Sequence, residues 1–222
     1  MTASHTSSHL IARRAWLRPL LGCGMAAPSL AIITTVGAMA ATPGLDPARQ
    51  YLSELGVGAG VTAAIFNFGV FASGLMAGLA GGGFGLAITA LANARVVGAL
   101  TAAVFALSGF GMTQAALYQW PDPRHLAINL ALGIQLAPLF LLWGLRARVD
   151  LPRLKLFLIA SFTVMAVLTL LTKHLLFPTL VNDANVGWWE RAYALILVGW
   201  VGVAAYALER RLRDGSKAKK IA

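Results

Sequence analysis

A chain of 222 residues that is 58% hydrophobic and only 12% charged has too few polar side chains to cover a water-facing surface, which excludes a soluble globular domain. The net charge of +10 raises a nucleic-acid role, but no aromatic-basic recognition module accompanies it, and no nucleic-acid partner is expected. What remains is an all-α integral membrane protein. Apolar runs of about 20 residues match the helix length that crosses a hydrocarbon core of about 30 Å, and irregular lipid-facing backbone leaves its hydrogen bonds unmet.

In chain order, residues 1–16 read as a flexible cytoplasmic tail rich in Ser, Thr and His, with His5 and His9 four apart. Six spans follow at about 17–41, 59–80, 96–117, 126–145, 154–172 and 192–208, one six-transmembrane-helix bundle over 17–208, and a basic cytoplasmic tail fills 209–222. Arg13, Arg14 and the small residues Ala38, Met39 and Ala40 also resemble a secretory signal with its cleavage site; the length of the run and the five later spans favour an uncleaved first helix. Cys23 lies in that helix and is the single cysteine, so no intrachain disulfide forms. In span two, Gly74, Gly78 and Gly82 recur every four residues, a small-residue face for close packing within the bundle or for a homodimer. Arg95 belongs at the membrane surface because a charge inside an apolar span is costly, which leaves 84–94 as an extension or an interfacial turn. Gly56, Gly58 and Gly60 spell GVGAG, but no strand precedes them and no phosphate-binding Lys follows, so this is not a nucleotide loop.

Charge sets the orientation. With both termini cytoplasmic, the outer segments keep only Arg49, Arg124, Lys173 and Arg191, and the rest of the 18 Lys and Arg fall inside. That bias follows the positive-inside rule and predicts a multi-pass membrane protein with both termini in the cytoplasm. The tail from Arg210 then anchors against anionic lipid.

Three outer segments gather polar residues at one depth. In the first, DPARQYLSELG at 46–56, Asp46 suits an N-cap, Pro47 the first helical position and Gly56 the C-terminal cap. Ala48, Tyr51, Leu52 and Leu55 share one face and Arg49, Gln50, Ser53 and Glu54 the other, the pattern of a two-turn extracytoplasmic interfacial helix. Glu54 reads as a carboxylate that does not cap this helix and needs a partner, Arg191 or Arg49. In the second, Asp122 and Pro123 repeat the Asp-Pro opening, with His125 and Asn129 four apart on one face. The third supplies Lys173, His174, Asn182, Asp183, Glu190 and Arg191, with Trp188 and Trp189 as interface anchors. Asn67 and Gln114 lie deeper. Each also has a structural reading: caps for Asp46 and Asp122, an ion pair for Glu54, and interhelical hydrogen bonds for Asn67, Gln114 and Asn129.

DPARQYLSELG, the following FNFGVFASGLMAG, the WPDPRHL element and the final GWWERAYAL together resemble the domain-of-unknown-function 998 family of bacterial membrane proteins, over about residues 20–208. The resemblance implies six helices with the SELG segment after the first, and implies no reaction. Ser53, Glu54 and Gly56 alone also match a Ser-acidic-Gly element of the Frag1 and DRAM-like group, which suggests lipid-related roles.

Two function classes follow. One is a non-enzymatic protein that binds or handles a membrane lipid or small amphipathic molecule, with Arg49, Ser53, Glu54, Asn67, Gln114, His125, Asn129, His174 and Arg191 as ligand-binding candidates. The other is an intramembrane lipid hydrolase or transferase with Glu54, Asp122 or His125 as its acid or base, and His174 or Asp183 beside them. Only His125 and His174 fall on the outer side, so a three-histidine zinc site is unavailable, and no metal or cofactor is expected. The binding class is favoured.

Overall fold

The computed structural model describes the backbone of residues 3–174 and 177–221, and the side chains of 15–172 and 177–215. Among these residues there is no strand. Six helices are long and apolar enough to cross a membrane: Ala15–Ala40, Val61–Ala92, Arg95–Leu117, Pro123–Gly144, Pro152–Thr172 and Val186–Gly215. The chain is a multi-pass membrane protein.

The six helices form a closed ring in chain order, each packed on the next and the sixth returning to the first. Short connections leave consecutive helices antiparallel, so all even-numbered loops share one end of the ring. This end carries Arg95, Arg148 and Arg211 and is called the basic end below; the opposite one, with Tyr51, His125 and Arg191, is the polar end.

Three boundaries differ from the sequence reading. The first helix begins at Ala3 and runs through the segment read as a tail, because extending a helix already nucleated by an apolar span fixes one more residue per bond gained. The second helix passes unbroken through Gly81, Gly82 and Gly83 to Ala92, so of the two readings residues 84–92 are an extension, its last turns, and not an interfacial turn. Phe84, Ala87 and Ile88 are fully buried there. The left-handed Asn93 (φ 55°) ends the helix, and Arg95 opens the next one at the surface, as its charge requires. The fourth span is irregular, alternating 3-10 turns at Pro123–Ala127 and Leu132–Leu136 with α-helix at Ile128–Ala131 and Ala137–Gly144. One of its carbonyls is served from outside, since Ser108 Oγ donates to Leu130 O at 3.3 Å.

Glycine sets how closely the helices approach. A Cβ on Gly85 would lie 2.6 Å from Gly98 O, and a Cβ on Gly98 would lie 2.6 Å from Gly85 O, so helices two and three touch backbone to backbone. Gly74 meets Gly109 O and Met112 in the same interface, while Gly82 faces Leu20 of the first helix. Two of the three glycines in the small-residue stripe are therefore occupied within the chain.

The ring is filled toward the basic end. Phe84 and Phe105 stack with centroids 4.8 Å apart, and Trp200 tilts against both at 6.3 and 6.0 Å. Leu21, Ile88, Leu141, Leu158 and Leu208 pack around this plug without exposure. Below it Asp150 accepts from Arg148 Nε and Nη2 at 2.9 and 2.7 Å and from Arg211, while Arg148 Nη1 donates to Leu91 O at 2.8 Å. These hydrogen bonds, Arg148's foremost, hold the Asp150 carboxyl well below the usual carboxylate range.

Gly85→Ala should destabilise the protein by about 1–3 kcal/mol, because the methyl meets backbone rather than a movable side chain. Gly22→Ala, where nothing lies within 4 Å, should be near neutral. Thermal unfolding of both variants in one detergent distinguishes them.

Candidate functional site

At the polar end the 46–56 segment is not the continuous helix that its caps predict. Asp46 does cap a single turn, Oδ1 accepting from Ala48 N at 3.0 Å, but Tyr51 is extended (φ −68°, ψ 153°) and a 3-10 turn, Leu52–Gly56, follows. The sixth helix causes the break. Pro47 O and Gln50 O accept from Arg191 Nη1 at 3.1 and 2.7 Å, and Ala48 O accepts from Gly187 N at 2.7 Å. In an unbroken helix those carbonyls would serve residues 51, 52 and 54. Two of the released amides find carboxylates instead, Tyr51 N donating to Glu54 Oε1 at 2.8 Å and Leu52 N to Glu190 Oε2 at 2.6 Å. The third, Glu54 N, turns to Tyr51 O at 3.2 Å. Each of these three released amides is thus bonded again.

The contact leaves no room for a side chain at 187. A Cβ on Gly187 would lie 2.5 Å from Pro47 O and Gln50 O and 2.8 Å from Ala48 O. Gly56 is constrained in the same way: a Cβ there would run into Asn67 Oδ1, and Asn67 Nδ2 donates to Gly56 O at 2.8 Å. Gly56 serves close approach rather than the C-cap expected of it.

Between this clasp and the aromatic plug lies a cavity of about 600 Å³. Its body is apolar, with Ala31, Val70, Ala77, Met112, Leu132 and Val198 among its walls. Its rim is polar and aromatic: Tyr51, Ser53, Asn67, Gln119, Trp120, His125, Asn129, Trp188, Glu190 and Arg191. The chamber opens sideways. Ile32, Val36 and Leu195 line it while being 36%, 59% and 52% exposed, and from Ser29 to Ala40 the first helix buries Ala38 alone. Beyond the contact of Pro28 with Gly202, therefore, the first and sixth helices part and leave a lateral gap.

Of the candidate residues, Ser53, Asn67, His125, Asn129 and Arg191 meet at this cavity. Arg49, Glu54, Asp122 and Gln114 do not line it. Arg49 is exposed and pairs with Asp46 at 3.8 Å, not with Glu54. Glu54 is exposed and, contrary to the sequence reading, caps its turn through the Tyr51 amide. Asp122 accepts from Arg124 N, Nε and Nη2 at 2.8, 3.0 and 2.7 Å, while the Arg124 guanidinium lies 3.6 Å from the Tyr118 ring centroid. The hydrogen bond from the Arg124 side chain is the main reason the Asp122 carboxyl falls to about 2. The side chain of His174 lies outside the described residues. His125 Nδ1 sits 3.1 and 2.9 Å from Ala115 O and Tyr118 O at the end of the third helix. Two carbonyl neighbours require a proton on Nδ1, which makes Nε2 the acceptor of the neutral ring. Among the described residues no three His, Cys, Asp or Glu side chains converge.

The rim residues Tyr51, Gln119, Trp120 and Glu190 were not among the candidates, although Glu190 and Arg191 adjoin in GWWER. Burial, and after it the carboxylates of Glu190, Asp183 and Glu54, raise the Tyr51 hydroxyl above its ordinary value. The segments that meet in the clasp are those that carry the likeness noted in the sequence. The family described as "Protein of unknown function (DUF998)" matches residues 25–207. The chain belongs to the DUF998 family. That match contains the whole cavity and both halves of the clasp. No curated protein and no solved structure matches the chain.

The contribution of Asp122 is present above the ordinary carboxylate pKa near 4 and is lost as pH falls through about 2. A carbon-13 NMR titration of labelled aspartate should find one carboxyl near 2 that returns to the ordinary range in Arg124→Gln.

Proposed function

We propose that this DUF998 protein binds and handles an amphipathic molecule, a membrane lipid or a compound built like one. The observation that carries this reading is the cavity: an apolar chamber of about 600 Å³, in the size range of small-molecule sites, with a polar rim at one end and an apolar gap in its side. A headgroup seated at Ser53, Asn67, Gln119, His125 and Asn129 would leave its chain free to leave between the first and sixth helices, past Ile32, Val36 and Leu195. The positive-inside distribution of Lys and Arg supports an inner-membrane orientation with the rim toward the extracytoplasmic face and both termini in the cytoplasm.

Two arguments favour binding over the alternatives. Glu54 and Asp122, two of the three acid-base candidates, are engaged as caps away from the cavity, which weakens the hydrolase reading. The Phe84, Phe105 and Trp200 plug fills the ring below the chamber, which weakens a path through to the basic end.

Purified protein in detergent should bind a fluorescent long-chain amphiphile, and Ala31→Trp, which fills the chamber, should weaken binding by about tenfold or more while the unfolding temperature stays within a few degrees. Equal binding by Ala31→Trp would place the ligand elsewhere. In a Cys23→Ser background, Ala59→Cys should react with a membrane-impermeant thiol reagent from the extracytoplasmic side; reaction from the cytoplasm alone would reverse the orientation.

A further inference from the structure

The cavity has one charge whose pairing is incomplete. Arg191 lines it from the sixth helix and presents five N–H donors. Nη1 is spent on the carbonyls of Pro47, Gln50 and Gly187. Nε and Nη2 are buried and have no hydrogen-bond partner among the described residues. No carboxylate among those residues lies within ion-pair distance of Arg191 either; the Glu54 and Glu190 carboxylates nearby accept from the amides of Tyr51 and Leu52. A guanidinium keeps its proton throughout the accessible pH range. A cation at the wall of an apolar chamber, in a membrane protein, is costly without a counter-ion. Nε and Nη2 also form the side edge of the guanidinium fork, the edge that matches two oxygens of a carboxylate or phosphate.

Building on the amphiphile-binding reading, we propose that the ligand is anionic, and that the carboxylate or phosphate oxygens of its headgroup are the acceptors that Nε and Nη2 of Arg191 lack, the guanidinium turning these two buried nitrogens toward the cavity as the headgroup enters. The Gln119 amide group supports this from across the rim: its Oε1 accepts from Gly58 N at 3.0 Å, which turns its NH2 donors toward other partners. Ser53 adds a hydroxyl donor. Glu190 shares the rim, but its Oε2 is held at 2.6 Å by the Leu52 amide, which draws its charge toward the loop backbone. The chain of the anion then fills the apolar chamber.

Four probes with matched oleoyl chains test the headgroup by displacement of a bound fluorescent amphiphile from the purified full-length protein: oleate, dioleoyl phosphatidylglycerol, dioleoyl phosphatidylcholine and dioleoyl glycerol. At least one of the two anions should bind about tenfold or more tightly than dioleoyl glycerol, and the preference should disappear in Arg191→Gln and be reduced but retained in Arg191→Lys, which keeps the charge without the two-nitrogen edge. Preference for oleate alone assigns a free carboxylate, and preference for phosphatidylglycerol alone a lipid phosphodiester. Because Arg191 also holds the loop, dioleoyl glycerol is the control in Arg191→Gln: its affinity should stay within about threefold while that of the preferred anion falls, and an equal loss for both overturns the headgroup contact. Equal affinity of the wild-type protein for the anions and for dioleoyl glycerol overturns the anionic headgroup and leaves amphiphile binding standing. Failure of all four probes to displace the label overturns the amphiphile reading itself.

Discussion

The polar end depends on one contact, the docking of the first turn of the sixth helix into the backbone of residues 47–52. Gly187 and Arg191 capture three carbonyls that local sequence would have kept inside a helix, and Glu54 and Glu190 take two of the amides that this releases. Hydrogen bonds exchanged in this way are each worth little net, on the order of 1 kcal/mol, but an unmet one is costly where water is scarce. The amides of Tyr51, Leu52 and Glu54 are accordingly all bonded again. It links residues 138 positions apart and fixes the loop as one wall of the cavity. Ser53 and Tyr51 reach the rim because the helix that would have turned them elsewhere is broken.

Packing explains why the chamber exists at one end only. Toward the basic end, glycines bring helices two and three into backbone contact, and the aromatic plug fills what is left of the ring. Toward the polar end the first helix departs from the sixth beyond Pro28, and the side chains that should have met across that seam, Ile32, Val36 and Leu195, stay exposed. A membrane protein can keep such apolar surface open because lipid solvates it. Under the proposed amphiphile-binding function, the same gap would serve as an entrance from the bilayer.

The sequence made the helices legible, and much less of the site. Apolar length located six spans, and the cost of a buried charge set Arg95 at the start of the third helix, because both signals are local and large. Asp46 and Asp122 were readable as caps for the same reason. The break at Tyr51 was not readable: Asp46, Pro47 and Gly56 specify a helix, and only Gly187 and Arg191, far along the chain, overrule them. The role of Glu54 was hidden for the same reason, since a carboxylate three residues into a 3-10 turn becomes a cap only once the turn exists. Gly56 and Gly187 carried the missing information. Both stand in the segments that resemble the DUF998 family, SELG and GWWER, and in both a backbone or side-chain oxygen occupies the place of a Cβ.

Amide hydrogen exchange on the wild-type protein and on Gly187→Ala tests the clasp most directly. Peptides covering residues 47–54 should be protected in the wild type, since their amides and carbonyls are bonded to the sixth helix and to capping carboxylates, and should exchange at least about tenfold faster in Gly187→Ala while peptides from 97–117 keep their rate. Free exchange of 47–54 in the wild-type protein, or no change on adding a methyl at 187, would contradict the account.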